Sequence, residues 1–269
     1  MPPSSHLTLS GGLFTHHFLE AIQQASFSHP AAAPETFLVP GQKSLSPAEL
    51  ERGIATAWEL LTERWDSLGR ELPAMEISPL RERWIRPLFT LLDFELEYQR
   101  ADLLLEDDLR FPISYLGKPV TALSGSIPVH TVLAGVDFDT KPEKARGSKS
   151  LAPQDMLQRY LNLNREQRWG LLTNGLKLRL LRDYHHSSQR GYVEFDLAGM
   201  FDDRDYAAFR AMYRMCHVSR YQVAGSQVSD ESPTPYSVLR TSYRFISPTL
   251  SGYRRKGRRG FARKCACGD

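Results

Sequence analysis

A run of strand-like residues around one Asn-Gly pair limits the folds open to this chain. Residues 169–175 read as a buried strand ending in Asn174-Gly175, a pair that favours the positive φ angles of a tight hairpin turn. Residues 176–183 then alternate in strand fashion, and residues 191–196 supply a third strand. Because a sheet must bury at least one face, these strands predict a sheet-based domain with further layers packed against it.

Helical patterns lie on both sides of this sheet region. Ser46 and Glu49 occupy the N-cap and third position of a capping box, which begins a helix that ends at Gly69. The next helix, over residues 78–91, is predicted to kink near Pro87, which has no backbone N–H. Further helices are predicted over residues 13–24, 153–163 and 196–217. N-terminal helices followed by a mixed sheet flanked by helices predict an α/β (or α+β) fold.

Composition suggests three regions along the chain. Residues 1–45 are predicted to be an N-terminal helix and linker, because prolines and alanines interrupt any periodic pattern from residue 28 onward. Residues 46–220 form the predicted domain, and residues 221–269 an irregular basic tail, expected to be disordered. The tail carries Arg254, Arg255, Lys256, Arg258 and Arg259, which are candidate contacts to DNA phosphates.

Several classes of protein are disfavoured by simple counts. No run of 18 or more apolar residues exists, which argues against a membrane-spanning helix. Residues 1–29 contain no Lys or Arg, unlike the start of a secretion signal, so we expect a cytoplasmic location. The cysteines, Cys216, Cys265 and Cys267, give an odd number and predict reduced thiols.

Residues 168–220, which begin RWGLLTNGLKLRLLRD and end MYRMCHVSR, resemble the N-terminal region of large restriction-modification DNA methylases. These include type IIG and BREX- or DISARM-like phage-defence enzymes. The similarity extends more loosely through SPLRERWIRPLF, RFPIS and VHTVLAGVDFD, so it covers roughly residues 45–220. The arrangement also looks like the PD-(D/E)XK nuclease fold of type I restriction subunits, where a WGxLTNG strand follows the catalytic strand and helix. The resemblance therefore implies a restriction-endonuclease-like core and a DNA partner.

Nucleases of this kind need carboxylates and a lysine at strand ends, because Mg²⁺ prefers hard oxygen ligands and the lysine helps activate water. Asp139 and Lys141 spell D-x-K, and the strand from Val129 is predicted to end there, with Asp137 on the same face. Asp102 or Glu106 is the candidate for the upstream carboxylate. Asp102, Asp137 and Asp139 are thus the candidate Mg²⁺ ligands, and with Lys141 the candidate catalytic set.

Two patterns depart from the family. Its nucleases usually carry Glu-x-Lys, and the following helix often has Gln-x-x-x-Tyr, whereas Met156 stands four residues before Tyr160. The methylases of the family bind S-adenosylmethionine with a Gly-rich loop and use an Asn-Pro-Pro-Tyr type motif, and this sequence has neither. We therefore expect no S-adenosylmethionine site on this chain, and expect it to be a truncated or frameshifted leading module of a longer enzyme.

Three hypotheses follow from the sequence. The first is a DNA-handling N-terminal module of a restriction-modification adenine-specific methylase, with a nuclease-like core that has lost its chemistry. The second is an active Mg²⁺-dependent endonuclease of the PD-(D/E)XK type. The third is a non-enzymatic module that docks against a methylase or another phage-defence subunit.

Overall fold

The fold is built on one mixed sheet of seven strands. The computed structural model describes residues 4–38, 42–105, 109–119, 126–141, 151–164, 166–183 and 191–221. The strands of this sheet are β1 (Leu7–Ser10), β2 (Phe94–Tyr98), β5 (Tyr115–Pro119), β6 (Ile127–Thr131), β7 (Trp169–Thr173), β8 (Lys177–Arg182) and β9 (Tyr192–Asp196). Their order in the sheet is β1-β9-β8-β7-β6-β5-β2, and β6 and β7 are parallel while the other neighbouring pairs are antiparallel. The short strands β3 (Leu103–Leu104) and β4 (Arg110–Phe111) pair separately.

Helices cover both faces of the sheet, which confirms the α/β prediction. They are α1 (His16–Gln23), α2 (Pro47–Leu68), α3 (Ile77–Leu80), α4 (Arg86–Leu91), α5 (Pro153–Leu163), α6 (Leu197–Asp202) and α7 (Tyr206–Cys216). Alternate strand residues point to opposite faces. Leu171 and Leu180 accordingly join the large core beneath most of the helices, whereas Leu172 and Leu181 join a smaller core beneath α5.

Helix α2 begins as its sequence predicts. The Ser46 hydroxyl accepts a hydrogen bond from the Glu49 N–H at 3.3 Å, and the Glu49 carboxylate accepts one from the Ser46 N–H at 2.8 Å. This reciprocal pair satisfies two N–H groups that the first helical turn would otherwise leave unpaired. The predicted N-cap is therefore confirmed.

The kink predicted near Pro87 takes the form of a widened turn. Between α3 and α4, residues Arg81–Ile85 form a π-helical turn, in which the Arg86 N–H donates to the Arg81 carbonyl. Pro87 has no N–H to offer the Arg83 carbonyl one turn earlier, and the guanidinium of Arg64 donates to that carbonyl at 3.0 Å instead. The widened turn directs Arg81 toward the sheet, where it contacts β6.

Residues 4–38 belong to the same sheet and core as the rest of the described chain. Strand β1 pairs with β9 at one edge of the sheet, and α1 packs on α7. In place of an extended linker, two 3-10 turns, Pro30–Ala32 and Pro34–Phe37, bury Ala32 and Phe37 completely or nearly so. Local sequence predicted a linker because small residues and prolines have no helical or strand periodicity of their own.

Two buried arginines hold this N-terminal segment in place. Arg214 on α7 donates to the carbonyls of Ile22 and Gln24 at 2.9 and 2.7 Å. Arg220 donates to the Ala31 carbonyl at 2.7 Å and lies 3.7 Å from the centre of the Phe37 ring. Polar backbone groups of an irregular segment thus find partners inside the core, as buried carbonyls must.

The Asn174-Gly175 turn joins β7 to β8 and also orders a neighbouring loop. Gly175 has a φ of +84°, and its carbonyl accepts a 2.7 Å hydrogen bond from the Trp84 indole. The Asn174 amide donates to the carbonyls of Ala134 and Val136, both at 3.2 Å. The turn therefore fixes the loop that follows β6, in addition to reversing the chain.

Candidate functional site

The parallel strands β6 and β7, joined through α5, are the part of the fold where a site is most expected. Ligands of open α/β sheets bind at the carboxyl ends of such strands. The nuclease fold expected from the sequence would place its catalytic carboxylates on the strand before the helix, and here that strand is β6. Its last two residues are His130 and Thr131, and no Asp or Glu lies in residues 126–131.

Six side chains from four segments meet at this end of β6. We call them the Arg81 cluster, and they are Arg81, Tyr98, Ser114, Tyr115, His130 and Thr131. The Arg81 guanidinium donates to Thr131 Oγ1 at 2.8 Å and to Ser114 Oγ at 3.3 Å. It lies 5.6 Å from the centre of each tyrosine ring. Ser114 Oγ also lies 3.3 Å from His130 Nδ1.

The cluster combines a buried floor with an open rim. Ser114, Tyr115 and Thr131 are buried, whereas Tyr98 is 52% exposed and Arg81 is half-buried. Burial, reinforced by the positive charge of Arg81, lowers the pKa of His130 to about 4, so its imidazole is neutral at pH 7. Burial also raises the pKa of Tyr115. Arg81 therefore carries the formal charge of the cluster at neutral pH.

A second polar constellation, the Arg179 network, lies on the α5 face of the sheet. Arg179 donates through both terminal nitrogens to the carboxylate of Asp139, at 3.0 and 2.8 Å, and through Nε to Glu194. It also donates to the Gln154 side-chain carbonyl at 3.2 Å and lies over the ring of Tyr192. Burial opposes the charge on Arg179, but the hydrogen bonds to Asp139 and Glu194 raise its pKa.

This network corrects the predicted position of Asp137 and Asp139. Strand β6 ends at Thr131, so the two carboxylates lie in the loop that follows and do not share a strand face. Asp137 accepts a 2.7 Å hydrogen bond from the Asp139 N–H, which turns the backbone, and the Asn174 amide holds earlier carbonyls of the same loop. Backbone groups that a longer strand would have paired are bound by side chains instead.

The remaining predicted ligands do not complete a metal centre within the described residues. Asp102 is exposed just before β3, and Lys141 is exposed at the end of the described loop. Among the residues that the structure describes, no group of three or more His, Cys, Asp or Glu side chains could hold a metal ion. Glu106, the alternative upstream carboxylate, lies outside those residues.

The predicted DNA contacts Arg254, Arg255, Lys256, Arg258 and Arg259 also lie outside the described residues. The described residues themselves contain 24 Asp and Glu against 20 Lys and Arg, a formal net charge of −4. Positive charge that could attract DNA is therefore concentrated elsewhere in the sequence, chiefly in the tail.

One buried constellation imitates a hydrolase triad. His217 Nδ1 lies 2.9 Å from Ser219 Oγ, and His217 Nε2 lies 2.9 Å from Asp93 Oδ2. Ser219 is fully buried and His217 is only 3% exposed, so no substrate carbonyl could reach the hydroxyl. These contacts tie the end of the described chain to the turn after α4, and we assign them a structural role.

Comparisons with known proteins give no match. No family model, no curated protein and no solved structure matches the chain. Within the described residues, no helix has both the length and the apolar character needed to cross a membrane.

Sequence reasoning missed the Arg81 cluster because its members are spread over residues 81–131 and form no motif. One signal was present: Pro87 predicted a disturbed helix, and π turns in helices often occur at functional sites. Arg81 is the first residue of that turn.

Proposed function

We propose that this chain is a DNA-handling module with a nuclease-like sheet that has lost metal-dependent cleavage. It corresponds to the first of the sequence hypotheses, the N-terminal module of a restriction-modification adenine-specific methylase. Methyl transfer, with its S-adenosylmethionine site, would belong to another polypeptide or to a further part of the same enzyme. A role on DNA also implies the cytoplasm as its location.

The end of β6 is the observation that carries this proposal. The order of β6, α5 and β7 agrees with the strand, helix and WGxLTNG strand of the resembling nucleases. A Mg²⁺ centre there would need several oxygen anions, yet the described side chains of the Arg81 cluster supply an imidazole, four neutral hydroxyls, two of them phenolic, and a guanidinium. A fixed guanidinium repels a divalent cation, so the scaffold is retained while the metal chemistry is not supported.

The Arg179 network argues against the main alternative centre. The Asp139 carboxylate is held at both oxygens by one guanidinium, and the neighbouring Glu194 is paired with the same group. A Mg²⁺ ion would have to displace Arg179, whose side chain is only 7% exposed, and deprive its buried charge of the Asp139 carboxylate. An active endonuclease that uses Asp102, Asp137, Asp139 and Lys141 is therefore the weaker hypothesis.

A cleavage assay tests the loss of chemistry. Unmethylated supercoiled plasmid is incubated with Mg²⁺ or Mn²⁺ and with the wild type, Asp137→Asn, Asp139→Ala or Lys141→Ala. We expect all four proteins to give the same background nicking as a buffer control. Metal-dependent nicking by the wild type that Lys141→Ala abolishes would restore the endonuclease hypothesis; Lys141 is exposed, so this substitution leaves the core intact.

Binding to DNA is tested by its dependence on salt. Each phosphate contact contributes roughly −0.9 to the slope of log K against log salt for duplex DNA. We expect the wild type to bind duplex DNA with a negative slope. A variant in which Arg254, Arg255, Lys256, Arg258 and Arg259 are all changed to Gln should bind with a slope shallower by up to about 4.5, because five contacts are removed. Fluorescence anisotropy between about 25 and about 300 mM salt measures both slopes.

A docking module is the second candidate, because the described residues are net acidic. Helices α2 and α4 also border a groove of about 750 Å³, whose lining includes Leu60, Leu91 and charged residues of both signs. Absence of DNA binding even at low salt would favour this alternative over the first, with a methylase or another phage-defence subunit as the partner.

A further inference from the structure

The Arg81 cluster has no role in metal chemistry, and its geometry points to a ligand of another kind. We propose that it binds a phosphate group of a nucleic-acid strand whose neighbouring base stacks on Tyr98. The phosphate site stands on the geometry of the cluster, and the choice of nucleic acid as its source rests on the proposed DNA-handling function.

Within the residues that the structure describes, the charge of Arg81 has no anionic partner. Arg81 contacts two hydroxyls and two aromatic rings, and within the described chain no carboxylate pairs with it. The acids beside it are engaged elsewhere, since Glu82 pairs with Arg86 and Glu97 with Lys118. A guanidinium that is half withdrawn from water and has no anion is the natural partner for a phosphate.

The Arg81 guanidinium also retains donor capacity. It has five N–H groups, and Thr131 and Ser114 accept from two of them within the described chain. The remaining groups suffice for the paired hydrogen bonds that arginine makes to phosphate. The Ser114 hydroxyl lies on the same floor.

The Arg81 side chain is preorganised. It is held by hydrogen bonds to the two hydroxyls and by the buried ring of Tyr115, so binding a ligand would freeze little additional side-chain motion. Its backbone begins the π turn Arg81–Ile85, a helix irregularity that is common at functional sites. Neutral His130 adds a polar group without adding charge.

The exposed ring of Tyr98 indicates the source of the phosphate. Tyr98 is 52% exposed, and its ring centre lies 5.6 Å from the guanidinium carbon of Arg81. An exposed aromatic ring beside a phosphate-binding arginine is the pairing that single-stranded nucleic-acid sites use, because any base can stack on the ring. Free phosphate would use Arg81 and gain nothing from Tyr98.

Two probes separate these contributions. Isothermal titration with inorganic phosphate reports on the phosphate site alone, and anisotropy of a short single-stranded oligodeoxynucleotide reports on phosphate and base together. The variants are Arg81→Gln, Arg81→Lys and Tyr98→Ala, with Arg83→Gln as the matched control. Arg83 lies in the same π turn, and its exposed side chain pairs with Glu71.

We expect Arg81→Gln to lower the affinity for both probes at least about tenfold, because Arg81 supplies the charge-assisted hydrogen bonds to the phosphate. Arg83→Gln should leave both affinities within about twofold of the wild type. Tyr98→Ala should weaken the oligonucleotide about fivefold or more and leave phosphate unchanged. Thermal melts check folding. If Arg81→Gln does not fold, Arg81→Lys must lower the affinity for phosphate at least about threefold, because lysine keeps the charge but loses the planar set of donors.

Each outcome bears on a distinct proposal. Equal phosphate affinity in the wild type and the Arg81 variants, or no phosphate binding by the wild type, overturns the Arg81 site even if the oligonucleotide binds through another surface. Phosphate binding that depends on Arg81, without oligonucleotide binding, supports the phosphate site and rejects its nucleic-acid source, whereas the proposed DNA-handling function fails only if the wild type also binds no duplex DNA in the salt titration.

Discussion

At the scale of single residues, protonation of one histidine links folding to pH. His130 Nδ1 lies 3.3 Å from Ser114 Oγ, and burial together with the positive charge of Arg81 lowers its pKa from 6.5 to about 4. The folded protein therefore favours the neutral form of the imidazole. An unfolded chain takes up the proton first as the pH falls, so this group favours folding above pH 6.5 and opposes it progressively between pH 6.5 and about 4.

We expect the substitution His130→Asn to flatten the pH dependence of stability. The wild type should lose free energy of unfolding between about pH 6.5 and 4 more steeply than the variant, by at most about 1.4 kcal/mol per pH unit. Urea unfolding at closely spaced pH values gives both curves. Burial also lowers the pKa of His29 and His217, which contribute equally to the two proteins, so identical curves would mean that His130 does not titrate as described.

At the scale of elements, the β7–β8 turn depends on one glycine. Gly175 has a φ of +84°, and a Cβ there would lie 2.8 Å from Leu80 Cδ1. Gly53, in contrast, lies within α2, where an added Cβ would meet no atom within 4 Å. The same substitution should therefore have opposite effects at the two sites.

Gly175→Ala should lower the free energy of unfolding by roughly 2 kcal/mol, through left-handed backbone strain and contact with Leu80. Gly53→Ala should raise it by roughly 0.5–1 kcal/mol, because alanine loses less backbone freedom in a helix. Urea denaturation measures both values. An unchanged free energy of unfolding in Gly175→Ala would show that the turn accommodates the methyl group without strain.

Elements with local signals could be predicted from the sequence, and sites without them could not. The capping box of Ser46 and Glu49 begins α2 as expected, because every participating group lies within four residues. The sequence predicts a longer β6 than the structure has, because Asn174, far along the chain, binds the carbonyls of the loop that follows this strand. The Arg81 cluster depends on four segments meeting, and no single stretch of sequence encodes that meeting.

At the scale of the whole molecule, Arg220 joins the beginning and the end of the described chain. Its guanidinium donates hydrogen bonds to the backbone carbonyl of Arg214 at 2.8 Å, to the hydroxyl of Thr36 at 2.9 Å and to the backbone carbonyl of Ala31 at 2.7 Å. Burial lowers the pKa of Arg220 to about 9. Its charge is stabilised by carbonyl dipoles, a hydroxyl and the ring of Phe37, an arrangement that works only while every partner is in place.

Arg220→Met should lower the free energy of unfolding by roughly 3 kcal/mol, because methionine fills the volume but leaves three buried acceptors without a donor. Arg83→Met, at an exposed ion pair with Glu71, should change it by less than about 1 kcal/mol. Chemical denaturation of the two variants supplies the comparison. A stabilising Arg220→Met would mean that removing the buried charge outweighs the lost hydrogen bonds.

The seam between residues 22–36 and residues 214–220 has a consequence for biosynthesis. The carbonyls of Ile22, Gln24 and Ala31 receive their donors from residues about 190 positions later. During translation these early residues must wait until α7 and the turn after it have left the ribosome, which makes closing the seam a late, slow step. Until then β1 has no β9 to pair with, and the carbonyls of Ile22, Gln24 and Ala31 have not met the arginines that donate to them in the folded protein.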